Sequence, residues 1–576
     1  MGSNNIIVRE YLESLKEDTE LDYLFPIMLN LMGFRIISTA KESKGQSQYG
    51  KDIIAIGNDE NGVKHRYYFE LKGYDAKDIT DANYSVKDGV RESIIEAKDT
   101  AFHDSSVPQF NSLPIKIVFV HNGIIKTNIR PTFEGFIQKE FPNGGFERWD
   151  IYTLTDLFSQ YLFSEYLLTD EESLRHFKRT LVLLDAPSYD YADFKRLVDI
   201  QIESITKIKG RAFSKFFATL KLLSVIVLHY SRQNNNLHPA RECLTYLVLK
   251  VWHWILKNKL EDKKPVINEF TKLIAIHFEM LNEYFEKTIE TAKTEDGLYS
   301  ERGGPFEEVG YPLRAFEYLN YLIYLFQARK YWPNFDKAPS PAKNRVISRI
   351  QKDALFKILD NNDGCSRPLL DNHSIAILNV FLYVLNDKNL TQDDVDFIGG
   401  DYLVRIFNNL MIIKTTKNRF PDLHSDPTVL TEFVSTRTRP YNYEDRSSLL
   451  ITILFELIAF FNADTIYNDF KDGIKGKVNL QTAYPNWDEY NIEELIFEKH
   501  FHEEYYIEHD IQLPDTLKEF KTTLEEKLEE KHEYRTDRAG FPFLRTLAHV
   551  YYKNEFFPDE WRSLFPKSEI AYDEQP

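Results

Sequence analysis

Cysteine is nearly missing from this chain of 576 residues: only Cys243 and Cys365 occur. Two thiols cannot build a disulfide framework or a cysteine zinc site, which points to a reducing, cytoplasmic setting. Positive charge is also short. The formal net charge is −18, and acids outnumber Lys and Arg even within the first 160 residues. That argues against a protein coated in positive field for tracking nucleic acid, so any phosphate contact needs a local basic patch or bridging metal ions. No signal-peptide pattern opens the sequence, and Ile6 stands where myristoylation needs Ser or Thr. A clean membrane span is lacking too. The most apolar stretch, 212–230, carries Lys215 and Lys221 and reads as a buried amphipathic helix, so no membrane partner is expected.

What is present is ordinary for a folded protein in bulk, with 43% apolar and 28% charged residues. The 14% aromatic share is high and suggests broad aromatic packing. The length implies two or more domains. Residues 5–33 show helical spacing, with Leu21, Leu24, Phe25, Met28, Leu29 and Met32 on one face. Thr19 and Asp22 have capping-box form, and Pro26 predicts a kink or a shortened helix. Strands are expected at 34–38, 49–56, 67–72, 115–120 and 149–154, with helices over 85–102, 133–141 and from Thr155 onward. This order predicts an α/β sandwich over residues 1–162. From 163 to 576 the signal is helical, and an all-helical region with a break near 332–345 is expected. No fixed-period repeat stands out.

Within the first domain one hairpin carries the chemistry. Tyr49-Gly50-Lys51-Asp52-Ile53-Ile54-Ala55-Ile56 and Tyr67-Tyr68-Phe69-Glu70-Leu71-Lys72-Gly73 flank a polar turn. Residues two apart on a strand share a face, so Glu70 and Lys72 point one way while Phe69 and Leu71 point the other. Asp52, Glu70 and Lys72 therefore converge at one end of a small sheet. Two carboxylates can hold Mg²⁺, a hard cation that meets phosphate oxygens directly. A lysine beside them can orient an attacking water and steady developing charge.

Asp52 followed by Glu70-x-Lys72, with an acidic helix upstream, resembles the PD-(D/E)xK, restriction-endonuclease-like superfamily. The steps Leu31-Met32-Gly33-Phe34 and Tyr152-Thr153-Leu154-Thr155-Asp156-Leu157 resemble its Mrr-type branch. The resemblance spans about residues 10–160; Gly50-Lys51-Asp52 stands where the superfamily's name would put Pro-Asp. It implies a restriction-endonuclease-like α/β sandwich and a Mg²⁺-dependent endonuclease, with Mn²⁺ able to substitute. Asp52 and Glu70 would be metal ligands with the Leu71 carbonyl as a third, and Lys72 would be catalytic. It also implies a carboxylate from the first helix, for which Glu20 is the first choice and Asp22 the second, with Glu13 and Glu17 behind them. Gln46, Gln48 and Lys51 are candidates for substrate contact.

The expected partners are nucleic acid, DNA ahead of RNA, and a protein partner or a second copy. By architectural analogy the helical region is a sensor or assembly module, and the whole a regulated effector of bacterial anti-phage restriction. Two alternatives stay open: a nuclease fold that only scaffolds or binds nucleic acid, and an RNA-cleaving toxin. Elsewhere, His500, His502 and His509 among Glu503, Glu504 and Glu508 read as a solvated helical face rather than a metal centre. Arg535, Arg538 and Arg545 read as surface arginines, and Trp252-His253-Trp254 as core packing.

Overall fold

The β-rich runs of the first 150 residues pair into one sheet. The computed structural model describes residues 2–39, 49–73, 78–87, 89–163, 168, 170–187, 189–205, 207–331, 341–424, 426–501, 503–526 and 532–565. The chain falls into two units, Met1–Leu247 with Glu269–His277, and Val248–Asn268 with Phe278–Pro576. The boundary expected at 162 lies inside the first unit, and the break expected near 332–345 lies partly outside the described residues. Gln46 and Gln48 lie outside them altogether.

In the first unit, helices α1 (Gly2–Ser14) and α2 (Asp22–Leu31) precede β1 (Arg35–Ser38), β2 (Ile53–Asn58) and β3 (Lys64–Lys72). Then follow α3 (Asp81–Tyr84), α4 (Val90–Asp99), β4 (Ile115–His121), α5 (Arg130–Glu140), β5 (Phe146–Trp149) and α6 (Ile151–Tyr161). The strands lie side by side in sequence order. β1–β2 and β2–β3 are antiparallel, while β3–β4 and β4–β5 are parallel with α3, α4 and α5 in the crossovers.

Both faces are covered, because the strands carry apolar side chains in both directions. On one face Phe25 of α2 meets Phe69 and Trp149, with ring centroids 5.3 and 6.0 Å away, and Phe34 packs on Tyr67 and Phe69. On the other, Tyr68, Ile54, Ile56 and Ile117 pack with Ala97 of α4, and Phe119 packs with Ile94 and Phe133.

Three details differ from the sequence reading. The stretch 5–33 is not one helix: it breaks after Ser14, and a π-helical turn at Glu17–Leu21 precedes α2. Pro26 sits inside α2, so the departure from α geometry falls a turn upstream of it. The last strand ends at Trp149 and not Leu154, because the Asp150 side chain accepts from the N–H groups of Tyr152 and Thr153 and starts α6 there.

The rest of the first unit is helical: α7 (Glu171–Leu183), α8 (Ala192–Ser204), α9 (Gly210–Gln233), the start of α10 (His238–Lys257) and the middle of α11 (Lys264–Ala292). α9 is long and apolar enough to span a membrane, yet 78% of its apolar window is buried within the protein. Lys221, 3% exposed, pairs there with Glu10 and Glu269. Arg211 donates to the Ser14 carbonyl at 2.8 Å. These contacts tie α1 to α9 within the first unit.

The second unit is mostly helical but not wholly so, which corrects the all-helical expectation. β6 (Ser447–Ser448), β7 (Asn479–Pro485) and β8 (Tyr506–Ile511) form a small sheet. Its signal, the alternation in Leu480-Gln481-Thr482-Ala483-Tyr484 and in Tyr506-Ile507-Glu508, is brief and flanked by strong helices. His509 therefore lies on a strand and not on a helical face, and His502 lies outside the described residues. Trp252 is fully buried and donates to Thr536 Oγ1 at 3.0 Å. Arg545 is no surface arginine: 6% exposed, it is held by Asp537 and Glu560.

Candidate active site at the end of the first sheet

The hairpin brings Asp52 to the end of β3. Asp52 N donates to the Phe69 carbonyl at 2.9 Å, and the ladder runs on as Ile53 opposite Phe69. Tyr49 and Gly50 reach this point with φ of 49° and 68°. A Cβ on Gly50 would sit 2.0 Å from the Ser93 carbonyl oxygen, so only glycine lets the chain pass this close to α4. The Asp52 carboxylate accepts from Leu71 N–H at 2.7 Å, which fixes its side chain against the last peptides of β3.

Glu70 and Lys72 point from the same face of β3, as their spacing requires. Lys72 Nζ lies 2.7 Å from Glu70 Oε1 and 3.4 Å from Glu17 Oε1. Glu17 Oε2 also accepts from Gly73 N–H at 2.8 Å. The π-helical turn after the break in the first helix carries Glu17 here. Gly73 admits it, since a Cβ there would come within 2.7 Å of Glu17 N.

Glu20, the first choice for the helix acid, is placed elsewhere. Its carboxylate is bonded to Lys215 of α9 and to its own Lys16 N–H. Glu13 is paired with Arg9 at 3.7 Å. Asp22 opens α2. Glu17, from the same segment, touches Lys72. The break after Ser14 is the feature that changes the register, and a continuous helical reading hides it.

The electrostatics follow from burial. Glu70 is 2% and Asp52 9% exposed. Burial, with Glu70 and then Glu17 adding repulsion, pushes the Asp52 carboxyl up to about 8 against the pull of Lys72 and the Leu71 N–H. For Lys72, burial alone would lower the amine, but Glu70, Glu17 and Asp52 outweigh it and hold it above its ordinary value. Lys72 therefore stays protonated through the neutral range. Lys51 is the opposite case. Burial lowers it to about 8 despite Glu70 and Glu96, and its amine donates to the Tyr49 carbonyl at 2.9 Å and lies over the Tyr68 ring. His121, opposite Lys72 in the β3–β4 ladder, is fully buried and lowered by that burial to about 4.

Comparison of the chain with protein-family models, with curated proteins and with solved structures finds no match. The functional reading therefore rests on the chemistry of the site.

Proposed function

We propose that the first unit is a metal-dependent nuclease that hydrolyses phosphodiester bonds in nucleic acid, DNA ahead of RNA, in the cytoplasm. One observation carries this reading: Glu17, Asp52, Glu70 and Lys72, from three separate stretches of chain, are gathered around one end of the sheet. Three carboxylates and one ammonium leave a formal charge of about −2 when all are ionised, and burial makes that charge costly. Burial first, and then repulsion from Glu70, raises Asp52 to about 8. A dication would balance that formal charge, and a donor set of carboxylates with the Leu71 carbonyl suits a hard ion such as Mg²⁺, with Mn²⁺ substituting.

Asp52 and Glu70 would hold the ion with the Leu71 carbonyl. When bound, it would neutralise phosphate charge and acidify a water. The Leu71 N–H fixes the orientation of Asp52. Lys72, clamped between Glu70 and Glu17, stays charged, so its role is to orient the attacking water and to stabilise charge building on the phosphate, and not to act as a base. The net charge of −18 supports a regulated enzyme that completes its nucleic-acid surface with a partner protein or a second copy, as an anti-phage effector would.

The test is cleavage of plasmid DNA and of RNA by purified protein with Mg²⁺, Mn²⁺ or chelator, over a range of protein concentrations. Metal-dependent cutting should fall by at least ~10²-fold in Lys72→Ala and Asp52→Ala. Cutting that survives both substitutions, or none with any substrate, would overturn the reading, and the second outcome would leave a non-catalytic scaffold. RNA as the sole substrate would favour the toxin.

A further inference from the structure

Although the chain carries a net charge of −18, one surface of the second unit gathers cations. The helix Leu403–Lys417 ends in Lys414 and Lys417, and Arg419 follows its left-handed cap Asn418. The helix Pro427–Thr436 ends at Arg437, with Arg439 two residues on. Lys417, Arg419 and Arg437 share a single carboxylate, Glu308, the last two at 4.0 and 3.5 Å. Lys414 lies 4.6 Å over the Phe420 ring, and Lys477 donates to the Gly473 carbonyl at 2.7 Å; among the described residues neither forms an ion pair. Burial, with Lys477 and Arg439 adding repulsion, holds the Lys414 amine below its ordinary value against the pull of Asp445. Two of the trio on Glu308, with Lys414 and Lys477, are thus left over. The helices Leu403–Lys417, Pro427–Thr436 and Asp464–Ile474 end here, and at about half a negative charge each they offset less than half of that surplus.

Aromatic rings hold part of this surface in place. Arg419 lies 5.3 Å over Phe433, Phe433 meets Tyr443 edge-on at 5.1 Å, and Arg439 lies 4.9 Å over Tyr443. Asp445 pins Arg439 at 2.6 Å. Cations fixed in this way lose little freedom when a ligand arrives. Beside them, Tyr443 N–H donates to the Pro440 carbonyl at 3.2 Å and closes a turn, and Arg439 donates to the Tyr443 carbonyl at 3.2 Å. Tyr441 stands at the tip of that turn with its side chain fully exposed. A helix end accounts for a nearby lysine, but not for a bare ring.

We infer that this surface docks a single strand of nucleic acid, with phosphates on Lys414, Lys417, Arg437 and Lys477 and a base stacked on Tyr441. Phosphates supply the negative charge the patch lacks, and every base has a π-face for an exposed ring. A duplex keeps its base faces covered, and an acidic peptide matches the cations but not the ring. The acidic remainder of the chain repels a polyanion, so docking concentrates on this patch. The inference goes beyond the nuclease reading and does not depend on it, since docking needs neither a metal nor any residue of the first unit.

Fluorescence anisotropy on the full chain in chelator tests it, with labelled oligo(dT) and oligo(U) of about 20 nucleotides as the DNA and RNA arms. At least one strand should bind with a Kd of about 1–10 µM at ~50 mM NaCl and weaken steadily as salt rises. Tyr441→Ala should weaken binding about tenfold. Arg437→Ala combined with Lys477→Ala should lower the slope of log Kd against log salt by about 1.4. All three positions are exposed, so these variants should unfold at the wild-type temperature, and Lys357→Ala, at an exposed site elsewhere in the second unit, should leave binding unchanged. Asp52→Ala should bind as wild type does, which separates this inference from the cleavage reading. The inference is overturned if neither strand binds at ~100 µM, or if binding survives both the ring and the cation substitutions. Competition by a duplex or by polyglutamate as strong as that by the single strand would overturn it as well.

Discussion

The two acidic centres of this chain are built on opposite plans. In the first unit the acids are buried within a sheet end and share an ammonium of their own, Lys72, held at 2.7 Å by Glu70 and at 3.4 Å by Glu17. In the second, Asp371, Glu504, Glu508 and Glu555 surround a cleft that, among the described residues, no Lys or Arg lines. A built-in cation keeps a tight acid cluster foldable. A cleft without one keeps its acids apart, and those that reach the rim are screened by water. Charge pattern, more than acid count, separates the two kinds of site.

The largest expected effect comes from pH, and it strikes both units. His121 and His277 in the first unit, and His373 and His549 in the second, are buried and lowered to about 4, 3, 3 and 4. A group lowered on folding stabilises the fold above its unfolded pKa. That stability is lost as pH falls from ~6.5 toward the folded values, at up to ~1.4 kcal/mol per histidine for each pH unit crossed. Asp52, Glu555 and Asp371, raised to about 8, 7 and 6, act in the other direction and lose stability as pH rises through those values. The acid losses run from the unfolded carboxyl range near ~4 up to those values and so overlap the histidine window. With four histidines against three acids, melting temperature in chelator should peak near pH ~6.5 and fall on both sides. A melting temperature that climbs steadily down to pH 4 would contradict the burial of these histidines.

The second effect separates the centres directly. Lys72→Met should destabilise the chain by ~3–5 kcal/mol, because it strands buried acids without their partner. Glu508→Gln, at an exposed position, should stay within ~0.5 kcal/mol of wild type. Denaturant unfolding measures both. Equal costs would erase the distinction between a self-neutralised site and an open one.

Much of the first centre can be read from the sequence because it is local. The spacing of Glu70 and Lys72 puts them on one strand face, and the polar turn returns Asp52 beside them. What stays hidden depends on contacts far apart in sequence. Glu17 reaches the site only because the first helix breaks after Ser14, and Asn122, 110 positions away from Leu12, caps that break by donating to the carbonyls of Leu12 and Leu15 at 2.9 and 2.8 Å. The end of the last strand is hard to place because Asp150 acts as a helix cap within an apolar run. β7 and β8 escape a sequence reading because short, half-exposed strands carry little apolar alternation beside long helices.

A third test addresses how Glu17 is admitted. Gly73→Ala would place a methyl 2.7 Å from Glu17 N and 3.0 Å from its Cα, both backbone atoms that cannot swing aside. The expected cost is ~1–3 kcal/mol, with loss of cleavage exceeding that of an equally destabilised variant elsewhere, since Glu17 must leave Lys72. Cleavage that merely follows stability would show that Glu17 has no part in the site.

The smallest effect is the sharpest discriminator between the acids of the first segment. Glu20 pairs with Lys215, whose side chain is 31% exposed, so water already shares that interaction. Glu20→Gln should cost no more than ~1 kcal/mol and leave metal-dependent cleavage unchanged. Glu17→Gln keeps an oxygen for the Gly73 N–H but removes the charge facing Lys72, so it should lower cleavage with little change in melting temperature. If Glu20→Gln abolishes cleavage while Glu17→Gln does not, the site is assembled around the other acid, and the break after Ser14 has no bearing on the proposed chemistry.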